Sequence, residues 1–377
     1  MKRRNILSLL LAAAAAGSIL TGCSGSAPAQ STAAESTAAS SAAETATIEP
    51  FTQEEATTDK ETAEANPSAP GARQPVDPSV TVRVGSLKGP TSMGLVELMD
   101  KSEKGEALCS YEFTMVAAAD ELLGKMVSKE LDIALVPANV ASVLYNKTEG
   151  GISVIDINTL GVLDIVASDD SIKSMADLKG KTVYATGKGT TPDYVVHYLL
   201  QANGLTDEDV KLEFKSEPAE VAALLKEQPD AVAMLPQPFV TAACAQNENL
   251  KIVLDLTKEW QAVQGEGGSQ LVTGVTVVRN EYLQENKPAV DAFLAEHKDS
   301  AAFANEDPDA ASELIAAAGI IEKAPVAKKA LPYCNIVCIT GSDMKEALSG
   351  YLQVLFDQDP QSVGGKLPED GFYYTAE

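Results

Sequence analysis

The chain is 377 residues long with a formal net charge of −25, enough length for two domains and the wrong sign of charge for a nucleic-acid surface. Arginine is scarcer than that charge alone conveys. After residue 78 only Arg83 and Arg279 remain, so forked recognition of a carboxylate, sulfonate or phosphate has few donors.

Lys2, Arg3 and Arg4 precede an apolar stretch from Ile6 to Leu20 that runs into Thr21-Gly22-Cys23. A basic start and a short apolar run predict an export signal, and the run is short for a membrane span. LTGC resembles the bacterial lipobox, which predicts a leader at 1–22 and an acylated N-terminus at Cys23. An ordinary cleaved signal with a chance cysteine is the alternative. Several acyl chains on one cysteine anchor stably, where a single chain is marginal. From 24 to 78 the chain is mostly Ala, Ser, Thr, Glu and Pro, with Ile48, Phe51 and Val76 its only bulky apolar residues. Such a segment cannot bury enough surface to offset its ordering entropy, so 23–78 reads as an anchor cysteine and a disordered tether. A flexible chain of that length spans roughly 40 Å.

From Ser79 onward apolar strands alternate with amphipathic helices, which predicts an α/β fold with a largely parallel sheet. The region also repeats itself. Lys88-Gly89-Pro90-Thr91 returns as Lys188-Gly189-Thr190-Thr191, each after a predicted strand (81–85 and 182–186) and before a helix. Glu121 and Pro137 align in the same way with Glu220 and Pro236. Likeness common to all βαβ units is the bland alternative, but two matches in one order and spacing favour a duplicated plan. Ligands in open α/β sheets bind outside the carboxyl ends of strands. Turns at 86–92, 137–139, 187–192 and 236–239 would therefore line one cleft. Segments 160–168 and 271–278 read as outward and return crossings, and two crossings make a hinge. A late helix, 344–356, gathers Met344, Leu348, Tyr351, Leu352 and Leu355 on one face and completes the first lobe.

In GKGTTPDY (187–194) Thr191 is the predicted N-cap and Pro192 the first helical residue. Gly187 and Gly189 would let backbone N–H groups approach a ligand closely. The lysine precedes Gly-Thr-Thr, so this is not a Walker A loop. Cys334 and Cys338 sit in YCNIVCIT, a predicted buried strand that holds them too far apart for a disulfide. With no histidine near them in sequence they are a weak zinc signal, and Cys109, Cys244, Cys334 and Cys338 read as free thiols. His197 falls inside a helix and His297 in the exposed-looking AEHKDS. No nucleophile–base–acid set is apparent, so neither an enzyme nor a cofactor or metal is predicted.

A lipobox, an acidic tether and two α/β lobes joined by two crossings resemble bacterial ABC-importer substrate-binding lipoproteins. The resemblance implies the type II periplasmic-binding-protein fold, with two doubly wound α/β lobes. It is strongest to the sulfonate, nitrate and thiamine-precursor binders. LKGPTSMGL, DIALVPANVASVLYN, GKGTTPDYVVHYLL, MLPQPFVTAA and SVGGKLPEDGFYY are similar to a clostridial-type branch of that group. It implies a first lobe at 79–164 plus 272–377 and a second at 165–271. Carried over by position, Ser86, Gly89, Pro90, Thr91, Ser92, Pro137 and Asn139 would contact ligand from the first lobe. Gly187, Gly189, Thr190, Thr191, Pro236, Gln237 and Phe239 would do so from the second, with Thr273 at the return crossing. Each could instead be a structural turn or cap. Lys88 and Lys188 could face solvent, and Tyr194 and Phe239 could stack on a heterocycle or belong to the core.

The implied role is capture of a small organic nutrient (neutral, zwitterionic or a small anion) and its delivery to ABC permease and ATPase subunits. The protein would be a monomer, held at the extracytoplasmic face of the cell membrane by lipid only. A ligand-sensing lipoprotein that presents its closed form to a membrane receptor is the alternative, and an enzyme of the same fold a more remote one.

Overall fold

The computed structural model describes residues 76–375, residue 78 excepted. The export signal, Cys23 and nearly all of the tether lie outside the described residues.

Among the described residues eleven strands fall into two sheets. In chain order they are β1 (Thr81–Leu87), β2 (Ser110–Val116), β3 (Ile133–Pro137), β4 (Ile152–Leu160), β5 (Leu163–Ala167) and β6 (Thr182–Thr186). Then follow β7 (Lys211–Lys215), β8 (Val232–Pro236), β9 (Lys251–Asp255), β10 (Val272–Arg279) and β11 (Ile336–Ile339). The first sheet has the order β11-β4-β10-β3-β1-β2 and the second β7-β6-β8-β5-β9. In both, a central strand runs parallel to two neighbours, and an antiparallel strand follows on one side.

The duplication extends to register. Thr81 pairs with Ser110 and Thr182 with Lys211, both 29 apart (110 − 81 and 211 − 182). Val84 pairs with Ile133 and Val183 with Val232, both 49 apart (133 − 84 and 232 − 183). The spacing of the paired strands is kept, although β1 and β2 have seven residues and β6 and β7 five, because each helical connection must span its sheet and return the chain to a parallel neighbour. The repeat seen in sequence is thus a repeat of whole βαβ units.

β4 belongs to the first sheet and β5 to the second, so the chain crosses at Gly161-Val162, a tighter passage than the expected 160–168. A Cβ on Gly161 would stand 2.2 Å from Thr257 Oγ1, so the passage admits only glycine without rearrangement. The return runs from β9 through the helix Leu256–Gln264 into β10. The last long helix, Gly341–Gln358, buries Met344, Leu348, Tyr351, Leu352 and Leu355, the five residues its periodicity predicts. It bridges the two lobes: Tyr351 lies against Trp260 of the return helix at 5.5 Å between ring centres, and Trp260 against Tyr198 at 4.8 Å. One apolar cluster therefore runs from Val154 and Leu348 to Val183 and Leu199.

Some sequence expectations are corrected here. The helix after β6 spans Thr191–Ala202 with Thr190, not Thr191, as its N-cap. YCNIVCIT is a strand only over Ile336–Ile339, with Cys334 at the end of a preceding 3-10 turn. His297 is wholly buried, because its face of the helix Lys287–Glu306 packs on the sheet, while Lys298 and Asp299 are exposed and Glu296 turns to accept from the Tyr111 hydroxyl at 2.6 Å.

Candidate functional site

The two arginines settle one question by their position. Arg83, near the start of β1, donates from Nε and Nη2 to Asp132 at 2.8 and 2.6 Å. Arg279, at the end of antiparallel β10, donates from Nη2 to the same carboxylate at 2.7 Å. Burial opposes ionisation of Asp132, but the hydrogen bonds from Arg83 and Arg279 outweigh it and hold the carboxyl below its usual range. Both guanidinium groups are spent at the amino ends of β1 and β3. The carboxyl ends of those strands, where the predicted turns lie, receive none.

At that opposite end the turns after β3 and β6 meet, with the turn after β1 beside them, while the turn at 236–239 makes no hydrogen bond to the other three among the described residues. Pro137 closes β3 and leads into the helix Ala138–Lys147, whose Asn139 is wholly buried. Asn139 Nδ2 donates to Ser362 O at 3.1 Å and to Gly189 O at 3.3 Å, across to the other lobe. Thr191, also wholly buried, donates from Oγ1 toward Asn139 Oδ1 at 3.4 Å and Thr273 O at 3.5 Å. These are long bonds, sharing one hydroxyl proton between two acceptors. Among the described residues Thr273 Oγ1 and Tyr351 Oη are buried with no hydrogen-bond partner, and the Tyr351 hydroxyl adjoins Thr191. Buried hydroxyls without partners are rare because each forgoes the hydrogen bonds it had in water. A seam of hydroxyl and amide groups with spare bonding capacity thus lies where the lobes touch.

The first-lobe turn closes on itself. Thr91 Oγ1 donates to Leu87 O at 2.9 Å, Ser92 Oγ to the same carbonyl at 2.6 Å, and Ser86 and Ser92 share a 2.6 Å bond. Gly89, at φ 152°, begins the four-residue helix Pro90–Met93. Ser86 and Ser92 brace this turn from inside. Thr91 reaches the seam through its methyl: a Cβ on Gly274, next to Thr273, would stand 3.0 Å from Thr91 Cγ2.

In the second lobe Gly187 and Gly189 adopt φ of 76° and 74°, the left-handed region that glycine fills at least cost. Thr190 Oγ1 donates to Gly187 O at 2.6 Å, and the Gly189 N–H is already taken by Asp193 Oδ2 at 2.7 Å. Only the Gly189 carbonyl faces Asn139. In the fourth turn Pro236 is half-buried, and Gln237 is held through its backbone and both ends of its amide. Its N–H donates to Val162 O at 2.9 Å, its Nε2 to Asp164 Oδ2 at 3.2 Å, and its Oε1 accepts from Thr241 Oγ1 at 2.8 Å. Phe239 packs into the apolar cluster of Leu235 and Val240, and Tyr194 is half-buried against the larger core. Lys88 and Lys188 are exposed.

Sequence reading missed Tyr351, whose hydroxyl was hidden within an apolar stripe, and Asp164. Burial, reinforced by the neighbouring Asp255 carboxylate, pushes the Asp164 carboxyl up to about 7. His197, half-buried, is pushed up to about 9, chiefly by its hydrogen bond with Asp193, and so pairs with that carboxylate within its own helix. Among the described residues no helix is long and apolar enough to cross a membrane.

Residues 151–311 match the family model described as NMT1/THI5 like. A Brucella abortus (strain 2308) protein named as a binding protein is 25% identical over 182 residues, 48% of this chain and 54% of its own length. The chain thus spans about half the length of the curated relatives it matches. Among solved structures, an ABC transporter from Parabacteroides distasonis superposes with a TM-score of 0.64 at 22% identity, over 79% of this chain and 99% of that one. The periplasmic aliphatic sulphonate binding protein of Escherichia coli gives 0.61 at 17% identity, over 79% of this chain and 94% of its own. The alkanesulfonate-binding protein of Xanthomonas axonopodis pv. citri, bound to MOPS, gives 0.60 at 15%, over 77% and 94%. With two α/β lobes of duplicated register joined by two crossings, the chain has the type II periplasmic-binding-protein fold.

Proposed function

We propose that the protein is a solute-binding lipoprotein that takes a small organic nutrient between its lobes and hands it to an ABC importer. The observation that carries this reading is the buried polar seam of Asn139, Thr191 and Thr273, with two hydroxyls left unpaired. Opening the hinge would expose these groups together, and a ligand with complementary donors and acceptors would favour the closed arrangement over the open one. The lobes in this reading are 79–164 plus 272–377 and 165–271.

Recognition centres on Asn139, Thr191, Thr273 and Tyr351. Gly187, Gly189, Thr190, Pro137, Gly89, Pro90, Thr91, Ser86 and Ser92 shape the walls, and Pro236, Gln237 and Phe239 close the far side. The ligand is uncharged or carries balanced charge, since both folded-region arginines are bound to Asp132 and the seam offers hydroxyls and an amide. Cys23 would carry the lipid anchor and 24–78 the tether, placing a monomer beside its permease and ATPase at the extracytoplasmic membrane face.

Native mass spectrometry of gently purified protein tests the reading. A retained small molecule, lost on mild unfolding and retained to a smaller extent by Thr191→Val, is the expected result. Failure of both retained-ligand detection and a broad titration of uncharged nutrients would overturn it. Anchoring is separately testable: Cys23→Ala should accumulate unprocessed precursor and lose lipid labelling.

A further inference from the structure

Away from the seam, the first lobe buries a second group of polar side chains that binding does not use. Asp156 on β4, His297 on the helix Lys287–Glu306 and Cys338 on β11 each present one donor atom, and these atoms all lie within 4.8 Å of one another. Asp156 and His297 are wholly buried and Cys338 is partly exposed. His297 Nδ1 stands 3.1 Å from Asp156 Oδ2, and Thr276 Oγ1 donates to Asp156 Oδ1 at 2.8 Å. His297 Nε2 lies instead 3.7 Å from where a Cβ on Gly94 would stand and, among the described residues, is buried without a partner.

An aspartate–histidine pair serving only the core would account for the 3.1 Å contact. It would not account for a thiol at the third corner, beside the nitrogen that faces the carboxylate. The cysteines lack a histidine near them in sequence, but the fold brings His297 to Cys338 from 41 residues away (338 − 297). We propose that Asp156, His297 and Cys338 form a binding site for a divalent cation, zinc before the harder ions.

The donor set selects the ion. Thiolate, imidazole and carboxylate together suit zinc, whereas magnesium and calcium take oxygen ligands. Zinc bonds of about 2.0–2.3 Å in a tetrahedron set ligand atoms roughly 3.3–3.8 Å apart, so the three donors need close in only modestly. Three protein ligands leave the fourth corner to water. The ion has a way in, because β11 is the outermost strand of its sheet and Cys338 is the accessible corner. Binding displaces the thiol proton to solvent. Thr276 then holds the carboxylate from behind, and Asn158 in turn donates from Nδ2 to Thr276 Oγ1 at 3.1 Å. An ion here ties β4, the edge strand β11 and a twenty-residue helix into one unit.

The test is metal loading of the full-length chain, first stripped with a chelator and then given zinc alone. Mass-spectrometric metal analysis after desalting should find one zinc per chain, and zinc should raise the melting temperature. Cobalt(II) in its place should give a thiolate-to-metal charge-transfer band. Cys338→Ala and His297→Gln should lose zinc. Thr276→Val should weaken zinc binding roughly 10- to 100-fold, as loss of an outer-shell partner does. Cys334→Ala, whose thiol faces Ala330 O and Met93, should load normally. Stripped wild-type protein that takes up no zinc, or cobalt-loaded protein with no thiolate band, overturns the proposal without reference to any variant. So does Cys338→Ala that loads as the wild type does.

Discussion

The turns after β1 and β6 descend from the same plan, yet they spend their hydroxyls differently. Thr91 returns its proton to Leu87 O within its own turn, at 2.9 Å. Thr191 sends its proton out of its lobe, to Asn139 and Thr273. The cause lies in where each helix begins. In the first lobe Pro90 is the first helical residue and Thr91 the second; in the second lobe Thr191 comes first and Pro192 second. A shift of one residue turns a side chain by about 100° around a helix axis, which separates a hydroxyl that bonds inward from one that bonds across. Duplication supplied two similar jaws, and a one-residue difference made one of them the donor to the seam.

The fourth turn breaks the symmetry further, and the largest expected effect lies there. Where the first lobe pairs Val275 with Val136, the second pairs Asp164 with Leu235. The Asp164 carboxyl is raised to about 7 by burial and then by Asp255. A raised acid binds its proton more tightly folded than unfolded, so its contribution to stability is greatest at low pH. That contribution is lost as pH climbs from about 4 through about 7. Asp164→Asn should remove this slope and be more stable than wild type above pH 7, by up to about 4 kcal/mol. Urea melts at pH 5 and pH 8 measure it. A pH profile unchanged by the substitution would show that Asp164 is ionised in the fold.

Asn139→Ala comes next. It strands Ser362 O and the Thr191 hydroxyl at buried positions and removes the bond across to the exposed Gly189 O, and should cost about 3 kcal/mol of stability. If the first lobe alone held the seam together, the loss would be that of the Ser362 bond only, about 1 kcal/mol. Chemical denaturation distinguishes the two values, because Ser362 belongs to the first lobe's own C-terminal segment and Gly189 does not.

Much of this architecture was legible because it is periodic. Alternating strands, the repeated turn residues and the apolar stripe of the helix Gly341–Gln358 each carry a local signature that folding preserves. The seam is not periodic. Asn139 and Thr191 meet across 52 residues, and nothing local to ANVAS or TTPDY announces the partner. Tyr351 was legible as core and invisible as a donor, since a stripe shows which side faces inward and not what its hydroxyl meets. His297 misled through its neighbours: Glu296, Lys298 and Asp299 read as surface, but only every third or fourth residue of a helix shares a face. The one-residue choice of N-cap between Thr190 and Thr191 also escaped, because either hydroxyl suits the position and the backbone bend at Gly187 and Gly189 decides between them.

The smallest effects test the comparison most directly. Thr191→Val and Thr91→Val are nearly isosteric, so each removes one hydroxyl and leaves packing in place. Thr91 bonds a carbonyl in its own turn, and its loss should cost stability of about 1 kcal/mol with ligand affinity nearly unchanged. Thr191 bonds across the lobes through two long contacts that a ligand could replace with better ones. Its loss should lower melting temperature by less than the Thr91 change does, and weaken ligand binding by about 0.5–1.5 kcal/mol, roughly two- to twelve-fold in Kd. Calorimetric titration beside thermal melts of the two variants separates the cases once native mass spectrometry has supplied the ligand. Equal losses of affinity would restore the symmetry of the jaws, and Thr91 would then have to release Leu87 O when ligand enters. An affinity loss confined to Thr91→Val would place the ligand against the first-lobe turn and leave Thr191 as a closure contact.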